Sequence, residues 1–375
     1  MTIDKVECWV FRAPIDHPVT AAIGSMRNRP AVFVRVSARD GAWGWGEVFC
    51  NFPTVGAEHR ARIVRDLLAP LVIGSPSDRP TELWASLTQK LRRMALQAGE
   101  PGPMAQTIAA IDQALWDMQA RRAGLPLWRL LSDGCGADGR VQPYASGIGP
   151  DNVAALALSM HARGYRSFKF KVGFAPAKDR ANFAEIRAAL GPQARIMIDA
   201  NQAWEPDTAA QRIAALAEFD PYWIEEPLAA DESLQAWRRL AADTPVALAA
   251  GENIRGVADF TAAVDNGHLR YLQPDVAKWG GISGCRQVAL HAQNAGLVFC
   301  PHWLGGGIGL AASLHLRAAL GPGGMVEVDA NPNPLRDLVC PPGDLGDDGW
   351  LQLSEQAGLG IEPDLRLLAQ YQVDY

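Results

Sequence analysis

The sequence predicts an α/β protein: a modified, TIM-like (β/α)-barrel with a separate N-terminal α+β capping domain. From about residue 140, short apolar runs alternate with amphipathic stretches, as expected for parallel βαβ units that close into a barrel. No glycine-rich phosphate turn follows the first run, which disfavours the alternative, an open doubly wound sheet. The eight runs are residues 141–146, 167–172, 195–200, 222–225, 246–250, 271–274, 297–301 and 325–328.

The first 130 residues follow a different pattern, which predicts the capping domain. Residues 5–12 and 31–37 have strand-like alternation, whereas 59–71 and 81–97 place apolar residues at helical spacing. Residues 104–123 form the strongest helical pattern, and Gly124-Leu125-Pro126 ends it. We expect a cap at 1–130, a catalytic barrel at 131–340, and a C-terminal segment at 341–375 that packs back on the cap.

Composition excludes several classes of protein. The 375 residues suit about two domains, and the net charge of −6 offers no basic footprint for nucleic acid. No apolar run reaches the roughly 18 residues that a membrane span needs, and the N-terminus has no apolar signal core. The six cysteines are scattered without a C-x-x-C pair. We therefore expect a cytoplasmic protein with reduced thiols and no cysteine zinc site.

Ionisable residues end seven consecutive predicted barrel strands. Catalytic side chains of such barrels sit at the C-terminal strand ends, which all meet at one mouth. Any single charge there could be a solvated loop residue, but a convergent set is hard to explain in that way. The residues are Lys169 and Lys171, Asp199, Glu225, Glu252, Asp275, His302 and Glu327, with Glu226 and Lys278 nearby.

The spacing of these residues suggests their chemistry. Asp199, Glu225 and Glu252 would repel one another unless a cation lay between them, and three hard oxygen ligands suit Mg²⁺ better than zinc. Two lysines at K-x-K spacing share a face of a strand, so Lys169 and Lys171 should depress each other's pKa until one can act as a base. A salt bridge to a ligand carboxylate is the alternative role for Lys169.

Asp275 and His302 lie on neighbouring predicted strands. A buried aspartate can orient a histidine and raise its basicity, which suits a general acid or base. The alternative is a purely structural Asp–His hydrogen bond.

In this order, the residues resemble those of the enolase superfamily, specifically its mandelate racemase-like group. The stretch 110–117 (AIDQALWD) is similar to the signature helix of that family's cap, and the match covers nearly the whole chain. The resemblance implies Mg²⁺ ligands at Asp199, Glu225 and Glu252, a base at Lys171, a carboxylate-holding cation at Lys169, an acid/base at His302 paired with Asp275, an enolate-binding acid at Glu327 and a polar substrate contact at Asn201.

The resemblance also implies a reaction. Removal of the proton α to a carboxylate would give an enediolate, with dehydration, racemisation or epimerisation, and cycloisomerisation as its possible fates. A sugar-acid (aldonate or aldarate) dehydratase is favoured, in a homo-oligomer. A catalytically silent sugar-acid-binding barrel is the non-enzymatic alternative, but no ligand or base is missing. The particular acid, the stereochemistry and the roles of Glu226 and Lys278 stay open.

Substrate selection is expected in the capping domain. Residues 14–30 are polar and contain glycine, so we predict a loop that closes over the barrel mouth, with 51–54 as a second candidate loop. Arg27 and Arg29 could bind a distal carboxylate or hydroxyls, or be simply solvated. Trp303, followed by the glycine run 305–307, could shape the pocket wall, or the glycines could serve a tight turn.

Overall fold

The computed structural model describes residues 1–22, 24–132, 134, 136–343 and 345–375, so the predicted thiol Cys135 lies outside the described residues. Two groups of strands make up most of the β-structure, a small cap sheet and a large barrel sheet. The strands are β1 (Ile3–Ala21), β2 (Gly24–Ala38), β3 (Trp43–Val48), β4 (Arg140–Val141), β5 (Pro143–Ile148), β6 (Ser167–Lys171), β7 (Arg195–Asp199), β8 (Ile224–Glu225), β9 (Leu248–Ala250), β10 (Tyr271–Leu272), β11 (Val298–Phe299), β12 (Val326–Asp329), β13 (Leu351–Gln352) and β14 (Gln372–Val373).

Helices cover the cap sheet and alternate with the barrel strands. The first two helices are joined by a π-helical turn, Ile63–Leu68. Among the described residues, no helix combines the length and apolar character needed to cross a bilayer. The helices are α1 (Gly56–Arg62), α2 (Ala69–Val72), α3 (Pro80–Ala98), α4 (Pro101–Ala123), α5 (Leu127–Leu131), α6 (Val153–Ala162), α7 (Pro176–Leu190), α8 (Pro206–Ala214), α9 (Leu234–Asp243), α10 (Val257–Asp265), α11 (Gly281–Asn294), α12 (Gly307–Ala319), α13 (Pro334–Asp337) and α14 (Leu365–Leu368).

The predicted barrel with its α+β cap is confirmed. Eight parallel strands follow the order β11-β10-β9-β8-β7-β6-β5-β12. The two edge strands approach each other where the Glu327 N–H donates to the Pro301 carbonyl at 3.5 Å. The first strand differs from its prediction, because Val141 belongs to β4, which pairs with β13, and the barrel strand begins at Pro143.

The cap is an antiparallel sheet with the strand order β14-β1-β2-β3. Its last strand comes from the C-terminal end of the chain, where Val373 pairs with Val10 of β1. The Glu362 carboxylate accepts hydrogen bonds from the indole N–H groups of Trp43 and Trp45. The segment after residue 340 therefore contacts the cap, while the domain limits at 130 and 340 stay a prediction.

The predicted loop at 14–30 is instead a β-hairpin formed by the ends of β1 and β2. Val19 pairs with Met26 and Ala21 with Gly24 across it, after a register shift between Pro14 and Val19. The polar residues of this segment, which suggested a loop, are compatible with a hairpin because one face of an antiparallel pair can be exposed to water. The hairpin does reach the barrel mouth, where Val19 and Met26 line a cavity.

Hydrogen bonds from the cap hold the loops at the catalytic end of the barrel. The Gln113 amide donates to the carbonyl oxygens of Val276, after β10, and of Glu47 in β3, both at 3.0 Å. The buried Glu47 carboxylate accepts from the N–H groups of Gly306 (2.6 Å) and Gly309 (2.9 Å), at the start of α12. The cap and the loops that follow β10 and β11 are therefore one hydrogen-bonded unit.

Strand β3 packs against α4 through two glycines. A Cβ atom on Gly44 or Gly46 would lie 2.0 Å from the carbonyl oxygen of Ala114 or Ala110, respectively. Only glycine permits this approach, because the atoms it would meet belong to the helix backbone and cannot rotate away. The cap sheet therefore packs directly against α4, the helix that carries Asp112 and Gln113.

We expect Gly46→Ala to destabilise the protein by about 3 kcal/mol or more, the upper part of the range for overpacked cores, because the added methyl group clashes with backbone. Urea unfolding would measure the change in free energy. The control is Gly149→Ala, where the nearest atom to the new Cβ is the Thr20 carbonyl oxygen at 3.6 Å. Equal stability of the two variants would contradict the close approach.

Burial raises the pKa of Asp112 to about 7, although Ser283 of α11 donates to it through its N–H (2.9 Å) and its hydroxyl (2.6 Å). The folded pKa lies above that of an unfolded aspartate, about 3.9. The folded state therefore holds the proton more tightly. The resulting stabilisation is complete below about pH 4 and is lost as the pH rises through about 7.

We therefore expect wild type to lose stability relative to Asp112→Asn, by on the order of a few kcal/mol, between about pH 4 and pH 7, with no further loss above that range. Chemical unfolding at several pH values would show this difference in slope. The exposed Asp207, changed to Asn, serves as the control and should leave the slope of wild type unaltered. Parallel curves for wild type and Asp112→Asn would rule out titration of Asp112 in this range.

Candidate active site

The predicted catalytic residues converge at the C-terminal ends of the barrel strands. In the sheet register, Lys171 lies opposite Asp199, and Asp199 lies opposite Glu225, so these three side chains stand at one level of the mouth. Glu252 follows β9 by two residues and Asp275 follows β10 by three. Parallel strands place all these groups at the same end of the barrel.

Lys169 lies buried at the centre of this cluster, with 1% of its side chain exposed. Its ammonium group contacts Glu225 Oε1 at 2.5 Å and Glu327 Oε1 at 2.9 Å, and it lies 5.4 Å from the centre of the Tyr144 ring. Burial opposes the charged form of Lys169, but the two carboxylates outweigh it and hold its pKa well above the usual range. The side chain is a fixed positive charge below the cavity.

Lys171 extends from the same strand into the cavity. Its Nζ donates to Asp199 Oδ2 at 2.5 Å. Burial lowers its pKa, but Asp199 more than compensates, so the pKa is raised even with Lys169 nearby. Lys169 does lower the pKa of Lys171, as predicted, but the expected fall towards the range of a neutral base is wrong for the contacts in this structure, because Asp199 outweighs both burial and Lys169.

His302 and Asp275 form the predicted pair. His302 Nδ1 lies 2.6 Å from Asp275 Oδ2, while Asp275 Oδ1 accepts from the N–H groups of Ala277 and Lys278. Asp275 is thus fixed by its own loop and in turn orients the imidazole. On the other side, His302 Nε2 lies 3.0 Å from Glu252 Oε2. Burial lowers the pKa of His302, but Glu252, Glu327 and Asp275 raise it well above its usual value.

Glu327 lies between the two halves of the site. It accepts hydrogen bonds from the Ser146 hydroxyl and, at 3.1 Å, from the Trp303 N–H. Burial raises the pKa of its carboxyl, but Lys169 and His302 outweigh burial and bring it down to about 2. Glu327 is therefore an anion that connects Lys169 on one side with His302 on the other, at 3.7 Å from Nε2.

Trp303 is part of the support for the site and does not line the cavity. Its indole N–H donates to the Gly306 carbonyl at 2.9 Å, and its side chain is buried. A Cβ on Gly305 or Gly309 would lie 2.3 Å or 2.2 Å from the indole ring. Gly305 and Gly309 therefore make room for Trp303, whereas Gly306 lies close to Glu47 and Gly307 close to Val339, so close packing and not a tight turn explains these glycines.

A cavity of about 290 Å³ separates the barrel mouth from the cap. Val19, Met26 and Phe52 of the cap lie on its wall, and sequence patterns alone did not single out the first two of them. Cross-strand pairing of Val19 with Met26 is the signal that places them on one face. The barrel side of the wall includes Lys171, Asn201, Glu252, Asn253, Lys278 and His302.

Neither of the two arginines proposed for the hairpin reaches the cavity. Arg27 follows Met26 and is exposed on the opposite face of the strand. Arg29 is 3% exposed and forms an ion pair with the equally buried Asp329 at the end of β12. The structure instead brings Arg60, Arg255 and Gln106 to the cavity, three residues that the sequence analysis did not identify.

Glu226 and Lys278, whose roles were open, are engaged beside the predicted ligands. Both Glu226 carboxylate oxygens accept from the Asn253 amide, at 3.0 and 2.9 Å. Lys278 Nζ donates to Glu252 Oε2 and Asn253 Oδ1, both at 2.9 Å, and lies over the ring of Phe49. Both residues therefore position the loop that carries Glu252.

The donor chemistry of the site fits a divalent cation. Among the described residues, no three His, Cys, Asp or Glu side chains stand ready as a metal cluster, since lysines and His302 contact the carboxylates. Buried acids nevertheless outnumber buried cations, and Asn201 Oδ1 is a buried acceptor with no partner. The acids are Asp199, Glu225, Glu226, Glu252, Asp275 and Glu327; the cations are Lys169, Lys171, Lys278 and His302.

Comparisons with known proteins identify the family of both domains. Residues 5–132 match the model of the mandelate racemase / muconate lactonizing enzyme N-terminal domain, and residues 152–367 match the enolase C-terminal domain-like model. The chain is 30% identical to a D-galactarolactone cycloisomerase of Agrobacterium fabrum, covering 100% of this chain and 99% of the relative. It is 33% identical to a D-galactonate dehydratase of Ralstonia nicotianae, over 76% of this chain and 74% of that one.

Solved structures of similar proteins share the whole architecture. A mandelate racemase/muconate lactonizing enzyme from Bordetella bronchiseptica is 46% identical, with a TM-score of 0.91 and 99% of each chain covered. A racemase from Streptomyces coelicolor, solved with bound magnesium, is 29% identical, with a TM-score of 0.88 over 99% of this chain and 100% of that one.

Proposed function

This chain belongs to the mandelate racemase / muconate lactonizing enzyme family of the enolase superfamily, and from that premise we propose that it is a magnesium-dependent sugar-acid dehydratase. It would remove the proton α to a carboxylate and expel the β-hydroxyl of an aldonate or aldarate. The observation that carries the proposal is the placement of Lys171 and His302 on one cavity, with the four strands β7 to β10 between their strands in the sheet.

Asp199, Glu225 and Glu252 are the residues that would hold Mg²⁺. When bound, the ion would supply positive charge to the substrate carboxylate and to the enediolate that develops from it. The excess of carboxylates and the unpartnered Asn201 Oδ1 support this assignment. The magnesium in the Streptomyces coelicolor racemase supports the choice of ion.

Charge stabilisation, proton transfer and exclusion of water are assigned to different side chains of the protein. Lys169, held between Glu225 and Glu327 below the cavity, adds a fixed positive charge to the region where the substrate carboxylate would bind. Of Lys171 and His302, one takes the α-proton in its neutral form, and the other, protonated, delivers a proton to the departing hydroxyl. Val19, Met26 and Phe52 of the cap cover the cavity and limit the access of water.

A second candidate function is cycloisomerisation of a sugar-acid lactone. The Agrobacterium fabrum relative, which matches the chain over its full length, favours this alternative. The same pair of proton-transfer groups would serve it, with a ring oxygen in place of the hydroxyl as leaving group. A racemase would use the pair to exchange the α-proton between the two faces. We expect a homo-oligomer in all three cases.

The proton-transfer roles predict a large loss of turnover in Lys171→Ala and in His302→Asn. General acids and bases contribute about 10²–10⁴-fold each, so kcat should fall by that order in either variant. The exposed residues Lys178 and His291, changed to Ala and Asn, are the matched controls and should retain wild-type rates.

Deuterium exchange separates the two roles. In D₂O, one of the two variants should still exchange the α-proton of the substrate, and the other should not. Near-native turnover by both Lys171→Ala and His302→Asn, on a sugar acid that wild type dehydrates, would falsify the two-residue mechanism.

The metal assignment predicts that Glu225→Gln weakens Mg²⁺ binding and activity together. Loss of a carboxylate from a set of three removes both a ligand and a charge. Isothermal titration with Mg²⁺ and kcat at saturating metal would measure the two effects. Glu185→Gln, an exposed position on α7, is the control. If Glu225→Gln binds Mg²⁺ as wild type does, the ligand assignment is wrong.

A further inference from the structure

The end of the cavity that faces the cap carries positive charge for which the proposed dehydration has no use. Arg60 of α1 and Arg255 of the loop after β9 both line the cavity, beside Gln106 and Gly102, respectively, at the start of α4. We propose that this distal end binds a second carboxylate, so that the preferred substrate is a dicarboxylic sugar acid. This inference rests on the proposed function and adds the identity of the substrate's far end.

Arg60 is a buried cation with only neutral partners. Its side chain donates to Gln106 Oε1 at 2.6 Å and to the carbonyl oxygens of Gly56 at 2.9 Å and Phe52 at 3.2 Å. The residue is 4% exposed. Burial lowers the pKa of Arg60, and although Cys50 and Glu100 act in the opposite direction, no carboxylate among the described residues pairs directly with its guanidinium group. An anion in the adjoining cavity would supply that direct partner.

Arg255 stands at the edge of the same cavity and bridges the barrel to the cap. Its guanidinium carbon and one terminal nitrogen lie 3.9 Å from the position a Cβ would take on Gly102. The side chain is exposed, and among the described residues no hydrogen bond or ion pair engages it. Its planar fork is therefore available for a carboxylate.

The start of α4 adds to this positive potential. Gly102, Pro103 and Gln106 line the cavity, and no side chain caps the first turn of this 23-residue helix. The N-terminus of a helix carries a partial positive charge that favours anions. The N-cap residue Glu100 carries the opposite charge but does not line the cavity, so the helix terminus and Arg60 together favour negative charge on the cap side.

Acidic side chains do not offset the arginines of the cavity. Among the described residues that line it, the acidic side chain is Glu252, which lies on the barrel side and is paired there with Lys278 and His302. A monocarboxylic acid would leave a neutral terminal group against two guanidinium groups. The cavity volume of about 290 Å³ suits one small acid and excludes oligosaccharides. A linear diacid complements both ends.

The experiment compares acids that differ only at the far end. Galactarate against galactonate, and glucarate against gluconate, would be assayed with Mg²⁺ for dehydration by wild type, Arg255→Gln and Arg92→Gln. Arg92 is exposed on α3 and is the control. We expect wild type to prefer the diacid of a pair, and Arg255→Gln to lower the diacid-to-monoacid ratio of kcat/KM by about 10- to 100-fold, as for loss of a charge-assisted hydrogen bond.

Three results would overturn the inference: equal use of both acids of every pair by wild type, an unchanged ratio in Arg255→Gln, or a preference for a phosphorylated aldonate over the diacid. Calorimetric binding of galactarate and galactonate to the Mg²⁺-loaded variants provides a test independent of turnover. If no acid is dehydrated but galactarate binds more tightly and Arg255→Gln abolishes the difference, the proposed function fails and the distal site stands.

Discussion

The buried ammonium group of Lys169 is the interaction around which the barrel mouth is arranged. It connects three strands, since Lys169 is on β6 and its partners Glu225 and Glu327 are on β8 and β12. Each of these groups would be costly to bury alone, and the opposite charges stabilise one another, with further hydrogen bonds to Glu327 from Ser146 and Trp303. Their mutual compensation explains how so many charges can occupy one buried region beside Lys171, Asp199 and His302.

The cap covers the cavity and also positions residues of the site. Glu47 and Gln113 hold the loops after β11 and β10, and Asn51 donates to the Leu304 carbonyl at 2.5 Å. These contacts flank the His302–Asp275 pair on the cap side. The geometry of one proton-transfer group is therefore set by residues from both domains, whereas that of Lys171 is set within the barrel sheet.

The strand-end rule recovered most of the site from the sequence, because the side chains at the C-terminal ends of parallel strands must converge whatever their detailed geometry. Other features were out of reach. Side-chain direction in the 14–30 hairpin depends on the pairing of Val19 with Met26, which a single sequence does not display. Arg60 looked like an ordinary helix residue, and the lysine pKa values depend on carboxylates contributed by other strands.

The close packing of β3 against α4 has a consequence for engineering. Gly44, Gly46 and Glu47 all lie in the six residues of β3, which contact α4 through the glycines and the barrel through Glu47. A cap taken from a relative would therefore keep matching contacts only if β3, α4 and the loop after β11 were exchanged together. The pair Val19 and Met26 is different, since it lines the cavity while Ser25 and Arg27 beside Met26 are exposed to water. Variant libraries designed to change the substrate should therefore vary Val19 and Met26 and leave β3 unchanged.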